Sequence, residues 1–166
     1  MTASTHVIPA GSGERADFPV LGNRFLLRGD ATDGRFGLVE HAIAPRALAA
    51  PTHTHEHEDE YSFVLSGRMG ALIGDEVVEA GPGDLVLKPR GIPHAFWNPT
   101  DQPARILELI SPGGFESYFA DLGEILSKPG PPDLTALGEL AARYELVMEP
   151  ESIGRLANEH GLVLPG

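Results

Sequence analysis

Pro51-Thr-His-Thr-His-Glu-His-Glu-Asp-Glu-Tyr-Ser-Phe-Val-Leu-Ser-Gly67 is the stretch from which the rest of the chain is read. It places three of the seven histidines within five residues. His53 and His55 are two apart, so on a strand they project from one face. Glu60 has the opposite parity and joins them only if the chain turns in between. Two imidazoles and a carboxylate then converge on one point. A turn or bulge near residues 56–59 would carry His57 into an exposed loop, with Glu56, Glu58 and Asp59 on its solvated side. The competing role for His57, beside or on a metal, requires the strand to run straight.

Outward from this stretch, 20 glycines and 15 prolines are spread as punctuation, the pattern of many short strands joined by tight turns. Residues 23–28, 36–44, 61–65, 68–73, 76–79, 84–88, 95–98 and 105–110 read as strands of a mainly β sandwich or barrel. Gly74-Asp75 suits a two-residue hairpin turn. In the 36–44 strand, Phe36, Leu38 and Glu40 share one face and Val39, His41 and Ile43 the other, with the inward face left open. Tyr61 to Leu65 reads as a compact apolar strand. Ser62 shares parity with Glu60 and hints at a roomy pocket, Phe96 shares parity with His94, and Trp97 points the other way, out of the barrel. His6, His41 and His160 have no partner at ligand spacing and read as ordinary residues.

The period changes after Ser111-Pro112-Gly113-Gly114. Phe115, Phe119, Leu122 and Leu126 recur at helical spacing, as do Leu134, Leu137, Ala141 and Tyr144. Between them lies a stiff Pro/Gly connector, and Asp133 is placed to cap the second helix. A third short helix is expected between Pro150 and Gly161. The chain divides into a barrel with an N-terminal arm over 1–112 and a helical extension over 113–166, packed on the barrel or on a dimer partner.

At 166 residues the chain is long enough for one domain with a real core. The absence of cysteine removes disulfides and thiolate chemistry, so any metal must be held by nitrogen and oxygen. A net charge of −12 argues against nucleic acid and against an anionic membrane as partners. The extension, with nine acidic and three basic residues from Glu116 onward, makes a poor DNA-reading module. No window approaches the length of a membrane span, and the expected location is the cytoplasm.

His53, one residue, His55, four residues, Glu60, six residues, Gly67 resembles the metal end of the first cupin motif. Gly83, five residues, Pro89, one, Gly91, two, His94, three, Asn98 reproduces the second motif, and fifteen residues separate the two. Nine fixed positions across two motifs make this a specific signal, unlike a lone short motif. One position departs: the glycine that usually opens the first motif is Ala47. The resemblance, over roughly residues 24–110, implies a cupin-type double-stranded β-helix, a jelly-roll barrel. The Ser-Pro-Gly-Gly-Phe exit and the helical tail are similar to small bacterial monocupins related to quercetin dioxygenases.

Carried over by position, the family's metal ligands are His53, His55, Glu60 and His94. Three imidazoles and a carboxylate suit one divalent transition metal ion, with iron, manganese, nickel or cobalt favoured and copper or zinc also compatible. The resemblance points to a dioxygenase acting on an aromatic or enolisable hydroxy-ketone, with Glu60 doubling as catalytic base. Two other readings stay open: a non-redox, metal-dependent cyclase or isomerase of secondary metabolism, and a non-catalytic small-ligand-binding or sensor module. The expected partners are a small-molecule substrate and a second copy of the chain in a homodimer.

Overall fold

The computed structural model describes residues 6–164; residues 1–5 of the expected arm and 165–166 of the expected extension lie outside the described residues. The strands are β1 (Glu14–Arg15), β2 (Leu21–Leu27), β3 (Gly37–Ile43), β4 (Leu48–His55), β5 (Asp59–Ser66) and β6 (Met69–Ile73). They continue with β7 (Glu76–Ala80), β8 (Leu85–Lys88), β9 (His94–Trp97), β10 (Ala104–Ser111) and, late in the chain, β11 (Leu146–Met148). The helices are α1 (Ser117–Leu126), α2 (Leu134–Arg143) and α3 (Ser152–His160). The strands form two antiparallel sheets, in the orders β1-β2-β3-β10-β5-β8 and β11-β4-β9-β6-β7.

Strand alternation decides what faces the interior. On β3 the inward set is Val39, His41 and Ile43, all buried, which settles the face that the sequence pattern left open. Leu21, Ile43, Val64, Met69, Val86, Phe96 and Ile106 fill one end of the space between the sheets. At the other end Phe25, Val39 and Ile110 meet Phe115, Tyr118 and Phe119, together with Leu140 and Leu146. The chain after β10 therefore packs against the barrel through an apolar seam, the usual way an amphipathic helix buries its stripe.

Local rules place the turns. Gly74 takes φ 58° between β6 and β7, as a type II′ turn asks of its first central residue, and Ile73 then pairs with Glu76. Asp133 caps α2 by accepting a hydrogen bond from the Ala136 amide at 3.0 Å. Gly161 closes α3 at φ 62°. Trp97 lies outside the barrel, where it packs with Leu48, Ala95 and Leu156 under α3 and stacks on His160 at 4.2 Å between ring centres.

Two features differ from the reading of the sequence. The extension is not purely helical: β11 adds an edge strand beside β4, with Leu146 opposite His55 and Met148 opposite His53. Three residues carry no readable period, and only a neighbouring strand reveals them. The strand around Tyr61 also turns its polar side inward. Glu60, Ser62 and Val64 are buried, whereas Phe63 and Leu65 are exposed on the outer face, as are Leu85 and Leu87 on β8, opposite Phe63 and Tyr61.

Candidate metal centre and its polar surround

His53 and His55 come from the end of β4, and His94 opens β9 directly across from His53 in the ladder. Residues 56–58 turn the chain, so Glu60 arrives from β5 in the opposite sheet. The expected break between His55 and Glu60 is thus where parity requires it. The four side chains are 5% exposed or less. One donor atom from each lies within 4.8 Å of the others. The imidazoles crowd together, with ring centres 4.3 Å apart for His53 and His94 and 5.1 Å for His53 and His55.

The outer nitrogens set the tautomers. His53 Nδ1 lies 2.8 Å from the Pro51 carbonyl oxygen, His94 Nδ1 3.1 Å from that of Ile92, and His55 Nδ1 3.3 Å from Glu58 Oε2. An N–H donated outward at Nδ1 leaves the Nε2 lone pair facing the centre, the arrangement seen around ligating histidines. Glu60 Oε2 is 3.2 Å from His94 Nε2, and Oε1 is 3.5 Å from His55 Nε2. His55 Nε2 is buried without a hydrogen-bond partner. Three imidazoles whose Nε2 atoms can serve a cation, and a carboxylate within this span, fit a borderline divalent transition ion; Ca²⁺ and Mg²⁺ want more oxygens.

Electrostatics in the cluster are strongly polarised. Burial and the neighbouring imidazoles His94 and His55 hold His53 well below the usual histidine range. Burial likewise lowers His94, against the pull of Glu60. His55 goes the other way: burial opposes its charge, but the carboxylates of Glu60 and Glu58 outweigh that and push it up to about 9. A bound cation would take the place of that proton.

His57, the third histidine of the stretch, is exposed and lies 2.5 Å from Glu145 Oε2, away from the centre. Phe115, expected only as a helical apolar position, packs nearly perpendicular to the His55 ring, with ring centres 4.3 Å apart.

Beside the cluster the barrel interior holds charges that reading the sequence passed over. Lys88 on β8 is 1% exposed, and its Nζ lies 3.0 Å from both Glu60 Oε2 and Glu108 Oε1. Burial disfavours the ammonium, but the fields of Glu108 and Glu60 outweigh it and raise the lysine above its ordinary value. Ser62 Oγ donates to Glu108 Oε2 at 2.6 Å. The room expected beside Ser62 is therefore occupied by Glu108. Burial, joined by the Glu60 charge and opposed by Lys88, pushes the Glu108 carboxyl up to about 7. Lys88 also sits 4.5 Å over the Phe96 ring. A signal did exist, since Glu108 interrupts the inward series Ile106-x-Glu-x-Ile110 and Lys88 shares parity with inward Val86. Asn98 is structural: its side chain bonds the Gln102 carbonyl at 2.7 Å and the Thr100 amide at 2.9 Å.

The family described as cupin domain matches residues 39–110. Among solved structures, the polyketide cyclase RemF from Streptomyces resistomycificus aligns with a TM-score of 0.55 at 28% identity, over 65% of this chain and 80% of that one. An uncharacterized conserved protein with a double-stranded β-helix domain from Klebsiella pneumoniae gives 0.55 at 18% identity, over 67% and 93%. A predicted oxalate decarboxylase from Thermotoga maritima gives 0.52 at 21%, over 55% and 79%; at these identities the latter two speak to fold alone. No curated protein sequence matches the chain. No helix among the described residues is long and apolar enough to cross a membrane. With the sequence match over residues 39–110 and the shared topology together, the barrel that carries the four-residue cluster is a cupin-type double-stranded β-helix.

Proposed function

We propose that the chain is a metal-dependent enzyme of non-redox carbon-acid chemistry, a cyclase or isomerase acting on an enolisable, oxygen-rich ketone. The observation that carries this reading is the placement of Glu60 between two imidazoles of a four-donor cluster and a buried ammonium, Lys88. The 28% identity to a polyketide cyclase supports the same class.

A divalent ion held by His53, His55, Glu60 and His94 supplies Lewis acidity toward a ketone or enol oxygen. Glu60 accepts the proton released next to that oxygen. Its carboxyl is held well below the usual range, with burial outweighed by Lys88 and His55, so it is a weak base that needs an acidified substrate. Phe115, packed on His55, with Tyr118 and Phe119 forms a buried apolar cluster on this side of the centre, which would limit the access of bulk water to it.

The test is proton exchange into a simple β-keto ester in D₂O under argon, followed by NMR, with the protein loaded in turn with zinc, cobalt, nickel, manganese and iron. Exchange faster than with free metal at the same concentration is expected. Rates equal to the free-metal control in every form would sink the reading. The dioxygenase remains the second reading: the four donors would leave room for substrate on an ion that takes five or six ligands. Oxygen uptake with a flavonol, absent under argon, would select it.

A further inference from the structure

The outer face of the first sheet is apolar where water should meet it. The registers between β3, β10, β5 and β8 align two rows of outward side chains across four strands. One row is Leu38, Leu109, Tyr61 and Leu87, and the other is Glu40, Leu107, Phe63 and Leu85. Glu40 alone among them is charged. An antiparallel sheet with one solvated face normally alternates apolar in and polar out, and this one is apolar on both sides.

These side chains pack on nothing but one another. Leu85 and Leu87 are 55% and 54% exposed, and Phe63 and Leu65, successive on the outer face of β5, are exposed as well. No apolar member of either row joins the three clusters that fill the interior and seat the helices. Leu156 of α3 packs with Trp97 on the opposite sheet, while α1 and α2 gather on Phe25, Val39 and Ile110. β8 is moreover an edge strand, with β5 as its partner in the sheet. Exposed leucines on an open edge are a liability that soluble proteins manage by covering them.

Charge and size decide what can cover this face. Glu40 is bound by Arg24 and, at 2.7 Å, by Arg105. Asp59, at the end of β5, is bound by Arg90 at 2.6 Å. A chain of net charge −12 tends to repel its own copies, but here both acids are matched by arginines, so two such faces can meet without opposing unpaired carboxylates. Four strands about 4.8 Å apart, with three outward positions about 6.8 Å apart along each, span roughly 15–20 Å in either direction. That is the scale of the apolar centre of an interface that buries about 800 Å² per partner once its polar rim is added. In a two-fold dimer the same patch serves both copies, as a flat apolar face with neutralised margins allows.

We infer that the chain forms a homodimer through this face, the outer rows of β3, β10, β5 and β8 of one copy packed on those of a second. Association buries Phe63, Leu65, Leu85 and Leu87. Glu60 points inward from the same β5, so the His/Glu cluster lies on the other side of the sheet, and the interface stands independently of the enzyme reading.

Analytical ultracentrifugation from low to high micromolar concentration tests it. The parent is expected to sediment at twice the mass of one chain. Phe63→Glu and Leu87→Glu should each raise the dimer dissociation constant at least tenfold, because a carboxylate in the patch is desolvated without a partner. Val147→Glu, at an exposed position of β11 in the other sheet, should leave it within twofold. Circular dichroism checks the fold of each variant. A second measurement needs no charge in the patch: a nitroxide on Leu85→Cys, the sole cysteine of that variant, reads the distance between copies, expected under about 35 Å for two sheets packed about 10 Å apart. A parent that stays monomeric throughout overturns the inference. So do folded Phe63→Glu and Leu87→Glu proteins that dimerise like the parent, or labels farther apart than this.

Discussion

Replacing Phe115 by Ala tests whether the extension is anchored at the end of the barrel that carries the His/Glu cluster. The ring is 4% exposed and meets His55 at 4.3 Å, Tyr118 at 5.0 Å, Tyr144 at 5.7 Å and Phe119 at 5.8 Å. Among the described residues, it links the aromatic rings of α1 to a histidine of the cluster. Truncating a buried phenylalanine costs about 3–5 kcal/mol through lost transfer energy and an unfilled cavity. For a domain of this size each kcal/mol moves the melting temperature by about 2–4 °C, so a drop of roughly 6–20 °C is expected. Calorimetry on metal-free and zinc-loaded protein reads it directly, and Phe115→Leu, which keeps most of the volume, should recover more than half of the loss. A melting temperature for Phe115→Ala within about 2 °C of the parent in both forms would show that the helices hold to the barrel without this contact, and the packing argument would fall.

Metal removal should be visible as stability. At a free zinc concentration of 100 times the dissociation constant, binding contributes about 2.7 kcal/mol, so EDTA should lower the melting temperature by roughly 5–11 °C. In His94→Ala, which lacks one of the four donors, EDTA should change it little. The pH dependence of the metal-free protein should carry the signature of His41. Burial, reinforced by Lys88 and only partly opposed by Glu60 and Glu40, lowers its pKa to about 3. The unfolded chain takes up a proton near pH 6.5 that the folded chain refuses. The contribution is therefore complete above about pH 6.5 and declines by about 1.4 kcal/mol per unit toward pH 3. Urea titrations of His41→Leu should show that slope flattened; an unchanged slope would contradict the assignment. Gly70→Ala should destabilise by about 1–3 kcal/mol, because the added methyl would stand 2.6 Å from Cε2 of the Trp97 indole. Equal stability in denaturant would mean that the Trp97 ring has room to shift.

Residue types and spacing determined the strand-rich architecture, the change to helices after Gly114, the cap at Asp133 and the side chains that converge. Those are local matters: a period of two, a period of 3.6, or a motif whose ligands must lie at fixed offsets around a turn. Parity alone separated His53 and His55 from His57. What the sequence could not decide was which face of a strand looks inward when both faces carry apolar residues. On β5 the apolar run suggested a core strand, but Phe63 and Leu65 face out and Glu60 and Ser62 face in. The same ambiguity hid His41, whose fate depended on whether its face of β3 met the other sheet.

Lys88 and Glu108 are far apart in sequence and meet only because β5 pairs with β8 on one side and β10 on the other. Their charges could be placed inside only once their partners were in place, since an isolated buried charge would be too costly to keep. β11 is three residues that become a strand because β4 offers an edge. Periodicity and motif spacing thus determined most of the strands and the four side chains of the candidate metal cluster. Tertiary pairing decided the polar interior around them, because the cost of burying a charge depends on neighbours that only the closed barrel brings together.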